Sequence, residues 1–348
     1  MTWVLAVPLA LILLVAAVFL LALVAFLVLW MVGERGHLML PSTRAVLRGR
    51  RPGSRPALRV DGTRAPAKPP RGRVRRALDA LHAYVYGRWP ERYIGVFLKY
   101  LLPRASEAWK HRWADHYHGK VLTHELAREI ITLDHNIPRT DLEQIVPYTR
   151  AREILLRAGP NVTVMDCPCR MTREEPCLPL DVCMLVGGGE FVLDHMPDRS
   201  RRITREEALA ILEAEHARGH VHAAYFKDVV NDRFYAICNC CPCCCGGMEA
   251  MMKHGVPMVA SSGYVAQVDP DLCIACEECV DACPFDAVHL EGDTAVVKWA
   301  DCMGCGVCES RCATGGMSLL LAPDKGLPLD VRTLGRAQGT TTTEESIQ

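Results

Sequence analysis

Eight cysteines near the C-terminal end fall into two runs of the same spacing. The first reads Cys273-x2-Cys276-x2-Cys279-x3-Cys283-Pro284 and the second Cys302-x2-Cys305-x2-Cys308-x3-Cys312. This pattern constrains the fold more than any other feature of the chain, because the thiols must converge. A tight x2 loop supplies three sulfurs from one turn of chain. The short helix after the third carries the last cysteine across to the neighbouring centre. The spacing therefore predicts two four-thiolate sets: Cys273, Cys276, Cys279 and Cys312, and Cys302, Cys305, Cys308 and Cys283. Each suits a [4Fe-4S] cube. CxxC pairs also bind zinc, but two intact runs, the first followed by Pro, favour iron–sulfur.

The two runs resemble the bacterial 2[4Fe-4S] ferredoxin family, and the resemblance covers about residues 264–322. It implies a ferredoxin-like α+β module that performs one-electron chemistry. Ala313, not Pro, follows the second run, which bears on a local turn and not on a ligand. Gly304 and Gly306 fit a loop whose N–H groups can reach cluster sulfur.

Ten further cysteines lie upstream: Cys167, Cys169, Cys177 and Cys183, then Cys238, Cys240, Cys241, Cys243, Cys244 and Cys245, followed by Gly246-Gly247. Neighbours in an extended chain point to opposite sides, so a Cys-Cys run should not offer all its sulfurs to one metal. A mixed site is expected, with the CPCR and CNCCPCCC segments meeting in space. The ten are candidate ligands of one further centre, iron–sulfur or zinc, with redox-active thiols or a second extra cluster as alternatives. This stretch resembles a group of anaerobe proteins that carry CxCR and CNCCxCCC segments ahead of a dicluster ferredoxin domain, which implies electron transfer. The CCG segment of heterodisulfide reductase-like proteins matches poorly, because the long spacing to a later CxxC pattern is absent.

No cysteine precedes Cys167, and 348 residues do not need a disulfide scaffold for stability. Net charge is zero but unevenly spread. From Thr2 to Val32 there is no Asp, Glu, Lys or Arg, and Trp3 and Trp30 flank the run. Its length predicts a single N-terminal transmembrane helix rather than a signal peptide. Residues 33–76 then carry thirteen Arg or Lys against Glu34 and Asp61. That flank predicts a C-terminal part facing the cytoplasm and a basic Pro/Arg-rich linker lying on anionic lipid. A nucleic-acid partner is not expected, since no aromatics interleave the arginines.

Helical spacing is read over 73–118, 122–132, 141–158 and 204–218, the last opened by Thr204 with Glu207 three residues on. β-Prone stretches at 162–165 and 234–237 run into Cys167 and Cys238. His111, His116, His118 and His124 show no recognised ligand pairing. Gly187-Gly188-Gly189 forms no GxGxxG unit and there is no Walker A segment, so no nucleotide or flavin site is expected. No nucleophile triad or carboxylate pair can be argued. Glu277, Glu278 and Asp281 read as a solvated acidic face that could dock a basic partner.

The expected organisation is α+β: transmembrane helix 1–33, basic linker 34–76, a mainly helical α+β domain with cysteine-rich loops over 77–260, a dicluster ferredoxin domain over 261–323, and a polar tail over 324–348. The expected function is membrane-anchored electron transfer through two [4Fe-4S] clusters and one further cysteine-bound centre, beside a membrane or quinone-linked redox partner. This describes an electron carrier or oxidoreductase subunit rather than a stand-alone enzyme. The alternatives are a reductase subunit fed by the ferredoxin module and a structural zinc protein.

Overall fold

The computed structural model describes residues 3–33, 40–47, 73–134, 137–138, 155–156, 162–186, 189–227 and 234–334. The helices used below are α1 (Trp3–Gly33), α2 (Arg73–Arg88), α3 (Glu107–His116), α4 (His124–Thr132), α5 (Arg205–Ala217), α6 (Gly246–His254), α7 (Glu278–Asp281), α8 (Val307–Arg311) and α9 (Val331–Leu334). The strands are β1 (Tyr117–Leu122), β2 (Ile137–Pro138), β3 (Leu155–Leu156), β4 (Val162–Asp166), β5 (Asp181–Val186), β6 (Ser200–Ile203), β7 (Val221–Lys227), β8 (Phe234–Cys240), β9 (Val259–Ala260), β10 (Tyr264–Val268), β11 (Val288–Glu291), β12 (Thr294–Val297) and β13 (Met317–Leu321).

The middle of the chain is organised by a seven-stranded sheet of order β6-β4-β5-β8-β7-β1-β9, antiparallel except for β1 with β9. This corrects the expectation of a mainly helical middle. β1, placed within or beside expected helices, is buried at all six positions. A strand buried on both faces shows no polar alternation, so its period is hidden in the sequence. The two-residue periodicity instead sorts the core. Val162, Val164, Met184, Val186, Ala224, Phe226 and Ile237 face one side with Leu126, Ile130 and Ile131 of α4 and Leu212 of α5. Cys183, Cys240, Val221, Ala223 and Tyr225 face the other.

Two helix starts follow their caps. Thr123 Oγ1 accepts from the Leu126 N–H, and Thr204 Oγ1 accepts from the Glu207 N–H. The Glu207 carboxylate turns instead to Arg201 at 2.5 Å. The helix expected at 141–158 lies outside the described residues, apart from Leu155–Leu156, which pair antiparallel with Ile137–Pro138. Leu329 and Val331 are buried beside α4.

Among the described residues no helix is long and apolar enough to cross a membrane. The expected transmembrane helix is thus not supported, nor is the single-pass membrane localisation with a cytoplasmic C-terminal part. Most of the expected basic linker, residues 34–39 and 48–72, lies outside the described residues.

The C-terminal module is a repeat in three dimensions. β10 pairs with β13 and β11 with β12, so the outer strands of the two halves clasp each other. Helices α7 and α8 occupy matching places after the second cysteine of each run. Left-handed backbone recurs at matching positions: Ala275 (φ 53°) and Gly304 (φ 64°), Glu277 (φ 63°) and Gly306 (φ 80°), Asp286 (φ 53°) and Gly315 (φ 70°).

Candidate metal centres

The C-terminal cysteines close around two cavities. One, with about 380 Å³ of empty space, is lined by Cys273, Cys276, Cys279 and Cys312. The other, about 310 Å³, is lined by Cys283, Cys302, Cys305 and Cys308. Each set takes three sulfurs from one run and one from the other. Backbone donors reach three of the thiols: Ala295 N–H to Cys273 Sγ at 3.4 Å, Ala287 N–H to Cys283 Sγ at 3.3 Å, and Ala266 N–H to Cys302 Sγ at 3.5 Å. Such bonds favour electron-rich sulfur and bear on cluster potential. Burial pushes the Cys308 thiol well above its ordinary value, so a metal bound there displaces a proton. Four thiols per cavity, with N–H donors at sulfur, fit a cubane cluster.

Gly304 shows why one loop position excludes a side chain. A Cβ there would lie 2.1 Å from the Tyr264 carbonyl oxygen, on a backbone of positive φ.

Residues 266–289 match the 4Fe-4S binding domain family. An uncharacterized ferredoxin of Methanocaldococcus jannaschii is 44% identical over 55 residues, which is 15% of this chain and 89% of that protein. The chain belongs to the ferredoxin family. A ferredoxin of Methanothermococcus thermolithotrophicus is 40% identical over 55 residues, covering 15% of this chain and 92% of its own. Ferredoxin-2 of Desulfomicrobium norvegicum is 50% identical over 34 residues, covering 10% and 58%. This ferredoxin is an iron–sulfur electron-transfer protein with a 4Fe-4S binding domain.

The upstream cysteines of the ferredoxin chain divide into two groups. Cys177, Cys241, Cys243 and Cys244 place their sulfurs all within 4.8 Å of one another. Cys177 Sγ stands 3.0 Å from Cys243 Sγ, Cys243 Sγ is 3.5 Å from Cys244 Sγ, and the Cys177 N–H donates to Cys244 Sγ at 3.5 Å. Cys243 is exposed, so this group sits at the surface.

The other six are Cys167, Cys169, Cys183, Cys238, Cys240 and Cys245. β8 carries Cys238 and Cys240 on one face and Asn239 on the other. The β5–β8 register runs from Leu185↔Ala236 through Met184↔Ile237, which brings Cys183 level with Cys238. The turn after β4 supplies Cys167 and Cys169, and the start of α6 supplies Cys245.

Two arginines not singled out by sequence hold these loops. The buried Arg170 guanidinium donates to Glu215 Oε2 at 2.5 Å and to the Asn239 carbonyl at 3.2 Å, and also to the Pro179 carbonyl. Arg173 donates to the Cys244 carbonyl at 2.9 Å and to Glu249 at 2.5 Å. Arg170 was visible only as the last letter of CPCR; its partner Glu215 is an ordinary helical residue in sequence. Of the four histidines near 111–124, His124 alone joins an imidazole group, with His216 and His222. Buried His118 instead bonds the Ala114 carbonyl through Nδ1.

Proposed function

We propose that this electron-transfer protein carries two [4Fe-4S] clusters and one further cysteine-held metal ion. One cluster would be held by Cys273, Cys276, Cys279 and Cys312, the other by Cys302, Cys305, Cys308 and Cys283. The observation that carries the reading is the crossing of Cys312 and Cys283 into the cavity of the opposite run. The clusters would supply one-electron transfer. The chain's residues set burial and the N–H donors at sulfur, which tune the potential.

The ion would be held by Cys177, Cys241, Cys243 and Cys244. Sulfurs placed tetrahedrally at ~2.3 Å from one metal stand about 3.8 Å apart, which suits four thiols mutually within 4.8 Å. Glu277, Glu278 and Asp281 are exposed and follow the exposed Cys276 in sequence. They offer a redox partner an acidic face, complementary to a basic patch.

The test is iron, zinc and sulfide content with EPR of the dithionite-reduced full chain, prepared without oxygen. About eight irons with matching sulfide are expected for the two clusters. Cys276→Ser and Cys312→Ser should abolish the same EPR signal, while Cys283→Ser and Cys305→Ser abolish the other. If Cys283→Ser removed the signal lost in Cys276→Ser, the crossed assignment would be wrong. Cys243→Ser should remove one metal ion and leave both signals.

A further inference from the structure

The six remaining cysteines form a closed ring of contacts. Cys169 and Cys238 pack against the apolar cluster that holds Cys167 and Cys183, and Cys238 also packs against the core that holds Cys240 and Cys245. A Cβ at Gly246, next to Cys245, would lie 3.4 Å from Cys169 Sγ, which brings the last cysteine back beside the second. We propose that this ring is a separate site for a single polynuclear iron–sulfur cluster held by six thiolates.

Three features argue for a cluster rather than single ions. First, the six thiols are spread apart. Among the described residues, the groups whose ligand atoms all lie mutually within 4.8 Å include no three of these six. A tetrahedral ion gathers its sulfurs to about 3.8 Å, as the surface four-cysteine group does. The two ferredoxin sets are likewise absent from the close groups although each lines one cavity. Spread thiols are what bridging sulfides between irons require. A cubane would use four of the six and leave two idle.

Second, the surroundings are dry. Cys167, Cys183, Cys240 and Cys245 are buried. Tyr225, also buried, shares the apolar core of Cys240 and Cys245. Arg170, whose buried Nε has no hydrogen-bond partner among the described residues, fixes the turn that carries Cys167 and Cys169 through the Pro179 and Asn239 carbonyls. Third, the ring is continuous with an electron source: Cys240 and Cys245 share one apolar core with Cys279, Cys302 and Cys308 of the ferredoxin module.

The proposal rests on the iron–sulfur reading of the ferredoxin module but concerns different residues. The test is anaerobic reconstitution of the full chain with iron-57 and sulfide, followed by metal analysis, Mössbauer spectroscopy and thiol counting. The wild type should hold at least four irons, with sulfide, beyond the about eight of the ferredoxin sets. Cys183→Ser and Cys238→Ser should each lose those irons and keep both reduced-ferredoxin EPR signals and the surface ion. Loss of the EPR signals with the extra irons retained would overturn the ferredoxin reading alone. Wild-type iron stopping at the ferredoxin complement would overturn the ring proposal, whether or not the variants fold. So would zinc in the ring, or disulfides among its six cysteines.

Discussion

Arg170 Nη2 meets Glu215 Oε2 at 2.5 Å, and neither side chain is more than 1% exposed. The pair ties the turn that follows β4 to helix α5. Glu215 also accepts from His220 Nδ1 at 2.7 Å and from Arg218 at 2.9 Å, so one carboxylate gathers three bases. Its pKa is held below the usual carboxylate range: burial works against this, but the bonds from His220 and Arg170 prevail.

Replacing Arg170 by Met removes the cation and leaves Glu215 buried. Breaking a buried pair on one side costs roughly 3–5 kcal/mol. Arg170→Met should lower the denaturation midpoint sharply, and a double variant with Glu215→Leu should recover much of the loss. Urea titration of the single and double variants checks this; additive losses would show that the two do not act as a pair.

Gly304 and Ala275 occupy matching left-handed positions, and a Cβ at Gly304 would meet the Tyr264 carbonyl. Gly304→Ala should displace Tyr264 or the loop and cost the protein the cluster of Cys302, Cys305, Cys308 and Cys283. Ala275→Gly removes a Cβ from left-handed backbone, a relief of about 1 kcal/mol, and should leave iron content unchanged. Iron per chain and thermal midpoints of both variants decide.

A Cβ at Gly247 would sit 2.2 Å from the Tyr225 hydroxyl oxygen. Gly247→Ala should therefore destabilise the start of α6, and Tyr225→Phe in the same chain should restore part of it by removing the clashing oxygen. Circular-dichroism melts of the two variants would show whether the clash is the cause.

His222 is buried, donates through Nδ1 to Asn239 Oδ1 at 2.7 Å, and has its pKa lowered to about 3, first by desolvation. It stays neutral in the fold while the unfolded chain takes a proton below about 6.5. The unfolded state therefore binds more protons between those values, and stability falls as pH drops from about 6.5 toward 3, by up to ~1.4 kcal/mol per pH unit. His222→Gln should flatten the slope of unfolding free energy between pH 6.5 and 4. An unchanged slope would mean that other groups carry the acid sensitivity.

The C-terminal spacing could be read for its four-plus-four division because three of each four thiols are local, so chain geometry alone brings them together. The upstream cysteines could not be apportioned in the same way. Cys240 and Cys241 are neighbours in sequence, yet Cys240 lies in the apolar core and Cys241 joins the surface group. The alternation of an extended chain predicted such a parting, but not which partners each sulfur would find. Those come from β5, the β4 turn and the start of α6, and are chosen by strand register. Register is a long-range pairing that no local pattern encodes. The same holds for His124, which shows no recognised ligand pairing in sequence but meets His216 of α5 and His222 of β7.

By itself, then, the sequence determined that a ferredoxin-type thiol framework closes the chain, and which segments bear further thiols. Tertiary structure decided that the middle is a sheet, since strands buried on both faces carry no alternation to read. It also decided the four-and-six division of the upstream thiols and the burial of Arg170 against Glu215. Both depend on which strands lie side by side, and that is settled only when the two faces of the sheet bury their cores.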